Sequence, residues 1–481
     1  MGLGKLTFLN KAKTAASAKV AQARKVFSDS KDDTRDKPEA SSKLGTKDKC
    51  DELSEIYNEQ ETSEPENIVN TKNDHTILAL DIGTEYVKAV IARQGASDEL
   101  EIIGIGRAHQ GSGNMYAGAI ADIPAVVGVC EQALSQAEKM SGTTSKLTVV
   151  GIAGELIKGN TSTVRYRRKN GNKPLSEQEM SLIIKRVQDR AGEQARQAIA
   201  DETNNPNVEV RLINSAIVSI SIDGYKISNP IGFKGTDVVI QFYTAFAPLV
   251  HISAIEKVCA ELSLDLLAVA VEPFAVCRAC LGDNIDSNFS AIVMDIGGGT
   301  TDIAVVDDGG VEGTKMFNIG GRSFTHQIAE ILGIDFDTAE QYKLSMKKPT
   351  KIPADAKEGI DLAVRRNLAV WLSGVEITLE EFNLTDVLPN RILLCGGGAG
   401  LSELQDVLAT TDWFKSLPFA RRPIIHLVES ADIPGIHNLT KTTLDHSYVT
   451  ALGLLRVALD TLAGAPEESS IKSKLSKLLQ N

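Results

Sequence analysis

Residues 292–306 read IVMDIGGGTTDIAVV, an apolar run that breaks at D-I-G-G-G-T-T-D and then resumes. Residues 78–92 read LALDIGTEYVKAVIA, the same design with a shorter break. An apolar strand ending in Asp-Ile-Gly and a hydroxyl residue, then a second apolar strand, predicts a hairpin with a tight turn. Glycine permits the turn's backbone angles and lets phosphate oxygens approach the main chain. Successive N–H groups then form an anion-binding concavity. An Asp at the strand end suits Mg²⁺ held through water, because that ion prefers oxygen ligands and keeps much of its hydration shell. Two ordinary turns that bind nothing are the competing reading. Two such hairpins about 200 residues apart instead suggest a duplicated unit whose halves grip one polyphosphate from both sides.

A third motif favours the second view. Residues 391–404, RILLCGGGAGLSEL, give an apolar strand, a glycine cluster and a helix start with Ser402 as its expected cap. Alone it is a generic turn. In series after the two hairpins it is specific, since glycines without side chains leave bare backbone for a flat adenosine.

The rest of the chain sets limits. Its 481 residues allow two or three domains and a substantial core. With 51 basic against 63 acidic residues the formal charge is −12, which argues against broad binding to a nucleic-acid backbone. The six cysteines (Cys50, Cys130, Cys259, Cys277, Cys280 and Cys395) are scattered, which suits a reducing cytosol. Cys277 and Cys280 form a lone C-x-x-C without a second ligand pair, so they read as small packing residues. No apolar stretch approaches the roughly 18 residues of a spanning helix, and the basic residues 1–27 lack a signal peptide's apolar segment.

Residues 1–74 read as a disordered arm, basic to residue 27 and then polar and acidic. From Ile77 the texture is globular: apolar β-branched runs (77–82, 147–153, 236–247, 290–296, 391–395) alternate with helical stretches (123–140, 176–200, 251–262, 321–333). That alternation is an α/β pattern. The core ends near Ala463, and the acidic link APEESS leads to IKSKLSKLLQN.

The series D-I-G-T, V-E-P-F-A, D-I-G-G-G-T-T-D and L-L-C-G-G-G-A-G-L resembles the superfamily of actin, heat-shock chaperones and sugar kinases. Within it the chain resembles the bacterial cell-division family FtsA. The supporting segments are EIIGIG (101–106), TVVGIAG (148–154), GYKISNPIGFKG (224–235) and TAEQYK (338–343). The resemblance covers roughly residues 77–462 and implies an actin-like fold: two ribonuclease-H-like halves around a nucleotide cleft, with an inserted α+β subdomain.

The implied halves are 75–154 with 246–288 and 289–320 with 390–462. The insertion is 155–245, a shortened nucleotide-side subdomain is 321–389, and 463–470 is a linker.

The resemblance also implies ATP and Mg²⁺ as cofactors. Asp81, Gly83 and Thr84 form the first phosphate clamp; Asp295, Gly297, Gly298, Gly299 and Thr300 form the second. Asp81 and Asp295 hold Mg²⁺ through water. Glu272 stands where related ATPases orient the attacking water, or else it caps a helix beside Pro273. Glu272 and Asp295 are thus the catalytic candidates. Glu340 and Lys343 touch the ribose, or form a surface i,i+3 ion pair. Gly396, Gly397, Gly398 and Gly400 receive the adenosine. His326 stands where an acid is expected, so hydrolysis is expected to be weak or absent.

In residues 471–481, Ile471, Leu475, Leu478 and Leu479 share one side of a helix, with Lys472 and Lys474 flanking it and Lys477 further round. The pattern suits a helix lying on anionic inner-leaflet lipid or docked on its own domain; the family resemblance implies the membrane. Four apolar side chains contribute roughly 1.5 kcal/mol or more each and lysines about 1 kcal/mol apiece. Ordering nine residues costs roughly 1 kcal/mol each. One tail is therefore marginal, whereas a row of tails on a polymer binds firmly. The implied partners are an FtsZ-like tubulin homologue, further copies of the chain in a protofilament, and anionic lipid, at the cytoplasmic face of the mid-cell membrane. The alternatives are a PilM-like pilus-assembly adaptor binding a partner peptide and a soluble ATPase. In the shortened subdomain, Arg365 and Arg366 either receive an acidic peptide or lie on a solvated face.

Overall fold

The computed structural model describes residues 76–95, 99–281, 289–346, 352–382 and 387–463. The arm 1–74 and the expected linker and membrane helix from 464 onward lie outside these residues.

The first hairpin joins β1 (Thr76–Ile82) to β2 (Tyr86–Gln94), and β3 (Leu100–His109) continues the antiparallel meander. A two-stranded ribbon, β4 (Met115–Tyr116) and β5 (Ala119–Ile120), leads into helix α1 (Ile123–Ser141). Helix α1 starts where Asp122 accepts a hydrogen bond from the Ala125 N–H, and it ends at Gly142 in the left-handed region (φ 69°). Strand β6 (Leu147–Ile152) then runs parallel to β1.

Next come β7 (Lys158–Arg167), α2 (Glu177–Thr203), β8 (Val210–Ile222), β9 (Tyr225–Lys226) and β10 (Asp237–Pro248). They occupy the stretch expected as an insertion. In S-E-Q-E, Ser176 caps α2 by accepting from the Glu179 N–H, as that spacing dictates. The helix buries Met180, Ile183, Ile184 and Val187 against Ile220, Val238 and Phe242 of the strands, a small core of their own.

Helix α3 (Leu249–Glu261), β11 (Asp265–Val271) and α4 (Glu272–Leu281) return the chain to the first sheet, where β11 lies parallel to β6. The second hairpin joins β12 (Ala291–Ile296) to β13 (Thr301–Asp307), with β14 (Gly310–Phe317) beside it. Helices α5 (Gly321–Leu332), α6 (Phe336–Leu344) and α7 (Lys357–Glu380) follow. Then β15 (Arg391–Cys395), α8 (Ser402–Thr410), β16 (Ile424–Leu427), β17 (Ile436–Asn438) and α9 (Val449–Ala463) complete the described chain.

The duplication inferred from the hairpins is visible in the topology. One sheet runs β11-β6-β1-β2-β3-β17; the other contains β16-β15-β12-β13-β14, the same five-strand order with the same parallel and antiparallel pairings, and extends through β7-β10-β8-β9. Parallel strands buried on both faces explain the continuous apolar runs: Leu78, Leu80, Val149 and Val150 in one sheet and Ile292, Met294, Ile392 and Leu394 in the other are all fully or nearly fully buried. Strand β17 joins the first sheet and helix α9 packs against α4 and β1, so these two elements belong with the first half, although the resemblance places 390–462 in the second. The sequence and the structure thus agree on an α/β protein made of two like halves.

The hairpins correct one reading. Both turns have four residues, 83–86 and 297–300, and close alike: the Gly83 N–H donates to Tyr86 O (3.2 Å) and the Gly297 N–H to Thr300 O (2.9 Å). The first break is therefore no shorter than the second. No hairpin glycine has positive φ, so glycine is there for room rather than for unusual angles. A Cβ on Gly83 would lie 2.8 Å from Tyr86 O, and one on Gly298 would lie 2.9 Å from Glu85 Cβ.

Candidate functional site

A cleft of about 510 Å³ opens where the two hairpins face each other. The residues expected as phosphate clamps line it, Asp81, Gly83, Thr84, Asp295, Gly297, Gly298 and Thr300 among them; Gly299 does not, and is set against Thr84 instead. Gly396, Gly397, Gly398 and Gly400 line it from the turn after β15. Glu272 enters from the start of α4, and Glu340 and Lys343 from α6. Residues spread over more than 300 positions of sequence thus converge on one cavity.

Each hairpin presents a cross-strand pair to this cavity. In the first, register sets Asp81 opposite Lys88, and Lys88 Nζ lies 2.8 Å from Asp81 Oδ2. Burial works against the Lys88 charge, but the Asp81 carboxylate outweighs it and holds the ammonium above its ordinary pKa. In the second hairpin the same register sets Asp295 opposite Asp302. Burial raises both: Asp295 only in part, because Thr450 Oγ1 of α9 donates to its Oδ2 (2.5 Å), and Asp302 to about 7, with the Asp295 charge adding to the rise. Glu272 is pushed well above the carboxylate range, first by burial and then by the charges of Asp81, Asp302 and Asp295.

Burial thus raises three carboxyl groups of one cleft together, with the Lys88 charge only partly offsetting the rise at Glu272 and Asp295. Among the described residues no three such groups stand close enough to ligate a metal directly, so a cation here would be held largely through water. That donor chemistry fits a hard divalent cation, which would bring the acids back into their ionised forms.

Around the glycine cluster, Gly396 takes φ 82°, and a Cβ there would meet Asp295 Oδ1 at 2.1 Å. Here left-handed backbone and close approach both require glycine. The ring of His446 bonds through Nδ1 to Gly396 O (2.9 Å) and closes this end of the cleft. Ser402 does not cap α8: it is the first helical residue, Leu401 takes the cap position, and the Ser402 hydroxyl turns to Glu403 (3.2 Å).

Glu340 and Lys343 form the i,i+3 ion pair (2.8 Å), largely buried in the lining of the cleft rather than on the open surface. Lys343 further donates to Gly321 O (2.9 Å) and Thr325 Oγ1 (2.8 Å). The His326 ring packs tilted against Phe336 (centroids 4.7 Å apart), and burial together with Arg322 and Lys343 keeps its pKa low. Arg365 and Arg366 are exposed on α7.

The sequence reading missed Lys88, Asp302 and Thr450. Lys88 and Asp302 carried a signal, since each stands seven residues after the hairpin Asp, the cross-strand position when the turn has four residues. Thr450 carried none; it lies 155 residues from its partner.

The comparisons with known proteins fit this architecture. The family model described as cell division protein FtsA matches residues 292–460, and that of MreB/Mbl protein matches 226–357. The cell division protein FtsA of Pseudomonas aeruginosa is 24% identical over 413 residues, covering 82% of this chain and 91% of its own length. That of Rhizobium meliloti is 23% identical over 418 residues, covering 80% and 87%. Among solved structures, the PilM-PilN type IV pilus biogenesis complex superposes with a TM-score of 0.57 at 17% identity, covering 80% of this chain and 98% of that one, a likeness of fold. Repeated half-folds, matching family models and relatives along most of the chain converge: the chain has an actin-like fold and is similar to cell division protein FtsA.

Proposed function

We propose that the chain is a nucleotide-binding, actin-like cell-division protein that holds ATP with Mg²⁺ between its two hairpins. The observation that carries this is the pair of equivalent four-residue turns facing each other over buried carboxylates, with the glycine cluster alongside. In this reading the turns cradle the phosphates, and Lys88 adds a fixed positive charge beneath them. Asp295 holds the cation through water with Asp302 behind it, and Asp81 has its Oδ2 engaged by Lys88. The cation supplies charge neutralisation for the phosphates. The glycines of 396–400 take the adenosine, and Glu340 and Lys343 take the ribose.

Glu272 would orient a water, since it enters the cleft from the start of α4 beside Asp81, Asp295 and Asp302, and burial holds its pKa well above the ordinary carboxylate range. Turnover is a separate matter from binding: it depends on placing that water within tenths of an ångström.

At the level of the cell, the FtsA relatives support a role in division. The proposal extends to self-association into protofilaments, reversible attachment to the cytoplasmic face of the membrane at mid-cell through residues 471–481, and anchoring of an FtsZ-like ring. No described helix is long and apolar enough to cross a membrane. The pilus-adaptor reading rests on likeness of fold.

Calorimetry with ATP or ADP and magnesium tests the first claim: heat is expected from wild type, and its absence from properly folded protein rejects nucleotide binding. Fluorescent fusions with and without the last 11 residues test the second. A mid-cell band lost on truncation is expected; a diffuse or polar signal from the intact protein favours the adaptor.

A further inference from the structure

We propose that Arg322 is the residue that distinguishes a nucleoside triphosphate from a diphosphate, and that Glu85 competes with the terminal phosphate for it. The proposal rests on the nucleotide reading of the cleft. Arg322 is the second residue of α5, and its backbone N–H donates to Gly298 O (2.8 Å), which seats it on the second phosphate turn. Its side chain crosses to the first turn, where Nε lies 3.1 Å from Glu85 Oε2, both side chains being about one-fifth exposed.

This is a charge contact without an aligned hydrogen bond: Nε and Oε2 are each buried, and neither finds a hydrogen-bond partner. A guanidinium N–H buried that way favours an acceptor that offers better geometry. The other cations of the cleft are committed. Lys88 is held by Asp81, Lys343 by Glu340, Thr325 and Gly321 O, and the Arg107 guanidinium lies 3.6 Å over the Tyr86 ring, much closer than the 5.6 Å of Arg322 from the Phe336 ring.

The position is where a third phosphate must pass. The turns face each other so closely that a Cβ on Gly298 would meet that of Glu85 at 2.9 Å. An anion entering there displaces the Glu85 carboxylate, since two negative groups will not share one guanidinium at that separation without a cost. Glu85 has somewhere to go: its Oε1 already bonds His109 Nε2 (2.9 Å). Arg322 then forms the aligned, charge-assisted bonds to phosphate that it lacks to Glu85. A diphosphate does not extend as far toward the turn contact and leaves the Glu85–Arg322 pair in place.

Titration of the full-length protein with ATP and with ADP, each with excess magnesium, tests this. Wild type is expected to prefer ATP. In Arg322→Gln, ATP binding weakens by about tenfold, the scale of one charge-assisted bond, while ADP affinity holds. Arg322→Lys, which keeps the charge but not the fork, falls between. Glu85→Gln removes the competitor and tightens ATP severalfold, and this gain disappears when Arg322→Gln is added. Equal weakening of ATP and ADP in Arg322→Gln, or a Glu85→Gln gain that survives the loss of Arg322, overturns the assignment. Wild type that binds both nucleotides equally also overturns it while sparing the nucleotide site; wild type that binds neither rejects the site itself.

Discussion

The two hairpins have the same turn length, the same closing hydrogen bond and the same cross-strand register, yet they carry opposite electrostatics. In the first, an acid faces a lysine: Asp81 and Lys88 neutralise each other out of water. In the second, an acid faces an acid: Asp295 and Asp302 are buried side by side, and each accepts from a threonine hydroxyl, Thr450 and Thr300 respectively. Duplication has thus supplied one backbone geometry twice, and a single residue seven positions after each Asp decides what the copy does. The first copy is complete as it stands and offers fixed charge. The second leaves two acids facing each other, and in the proposed reading a cation completes it and makes it the half that responds to ligand.

The largest effect follows from breaking the finished pair. Lys88→Ala leaves Asp81, only 3% exposed, as an uncompensated buried charge. Loss of one partner of a buried pair costs about 3–5 kcal/mol, so denaturant unfolding should show a drop of that order. An unchanged midpoint would mean that the first hairpin is not neutralised internally, and the contrast drawn here would fail.

The matching change in the second hairpin should act in the opposite direction. Asp302 has its pKa raised to about 7, so the folded state holds that proton more tightly than the unfolded chain does. Between the ordinary carboxylate range and about 7 the unfolded state releases the proton first. Stability therefore falls as pH rises through that window, and the full penalty stands above it. Asp302→Asn, neutral throughout, should gain nothing near pH 4 and on the order of 2 kcal/mol above pH 7, part of the raw shift being returned because a neutral amide oxygen accepts the Thr300 hydroxyl more weakly than a carboxylate does. Melting curves across that range check both sign and window, and magnesium with nucleotide should flatten the wild-type slope.

Asp295→Asn should then separate metal from fold. Because Asp295 faces the cavity and Thr450 can still donate to an amide oxygen, the variant should fold. Magnesium should enhance its nucleotide binding about tenfold to a hundredfold less than in wild type, roughly the contribution of one charged ligand contact. Full magnesium enhancement would move the cation away from the second hairpin.

The fold was readable because its signals are local: a D-I-G hairpin, a glycine cluster and apolar runs bounded by turns each occupy a dozen residues or so. Much of the site was readable for the same reason, since the glycines and acids stand at turns. What the reading missed was relational. Lys88 and Asp302 become site residues only when strand register is followed past the turn, and the reading stopped at the turn. Thr450 and the Arg322–Glu85 contact depend on elements meeting from distant parts of the chain. Ser402 misled because a hydroxyl before a helix usually caps it, whereas here the tight turn after Gly396 carries the helix start one residue earlier, to Leu401.

The smallest expected effect tests whether the turns, alike in hydrogen bonding, are alike in tightness. A Cβ on Gly83 would press on Tyr86 O at 2.8 Å, backbone against backbone, with no flexible group to yield. On Gly297 the nearest atom would be Thr300 O at 3.5 Å, an ordinary contact. Gly83→Ala should therefore cost about 1 kcal/mol of stability through forced backbone movement, while Gly297→Ala should leave the melting temperature unchanged. Any loss of nucleotide affinity in Gly297→Ala then comes from the methyl group occupying the phosphate's own space, because the free protein has room for it. Equal destabilisation by the two substitutions would show that the turns are equally tight, and the affinity of Gly297→Ala would no longer report on the phosphate alone.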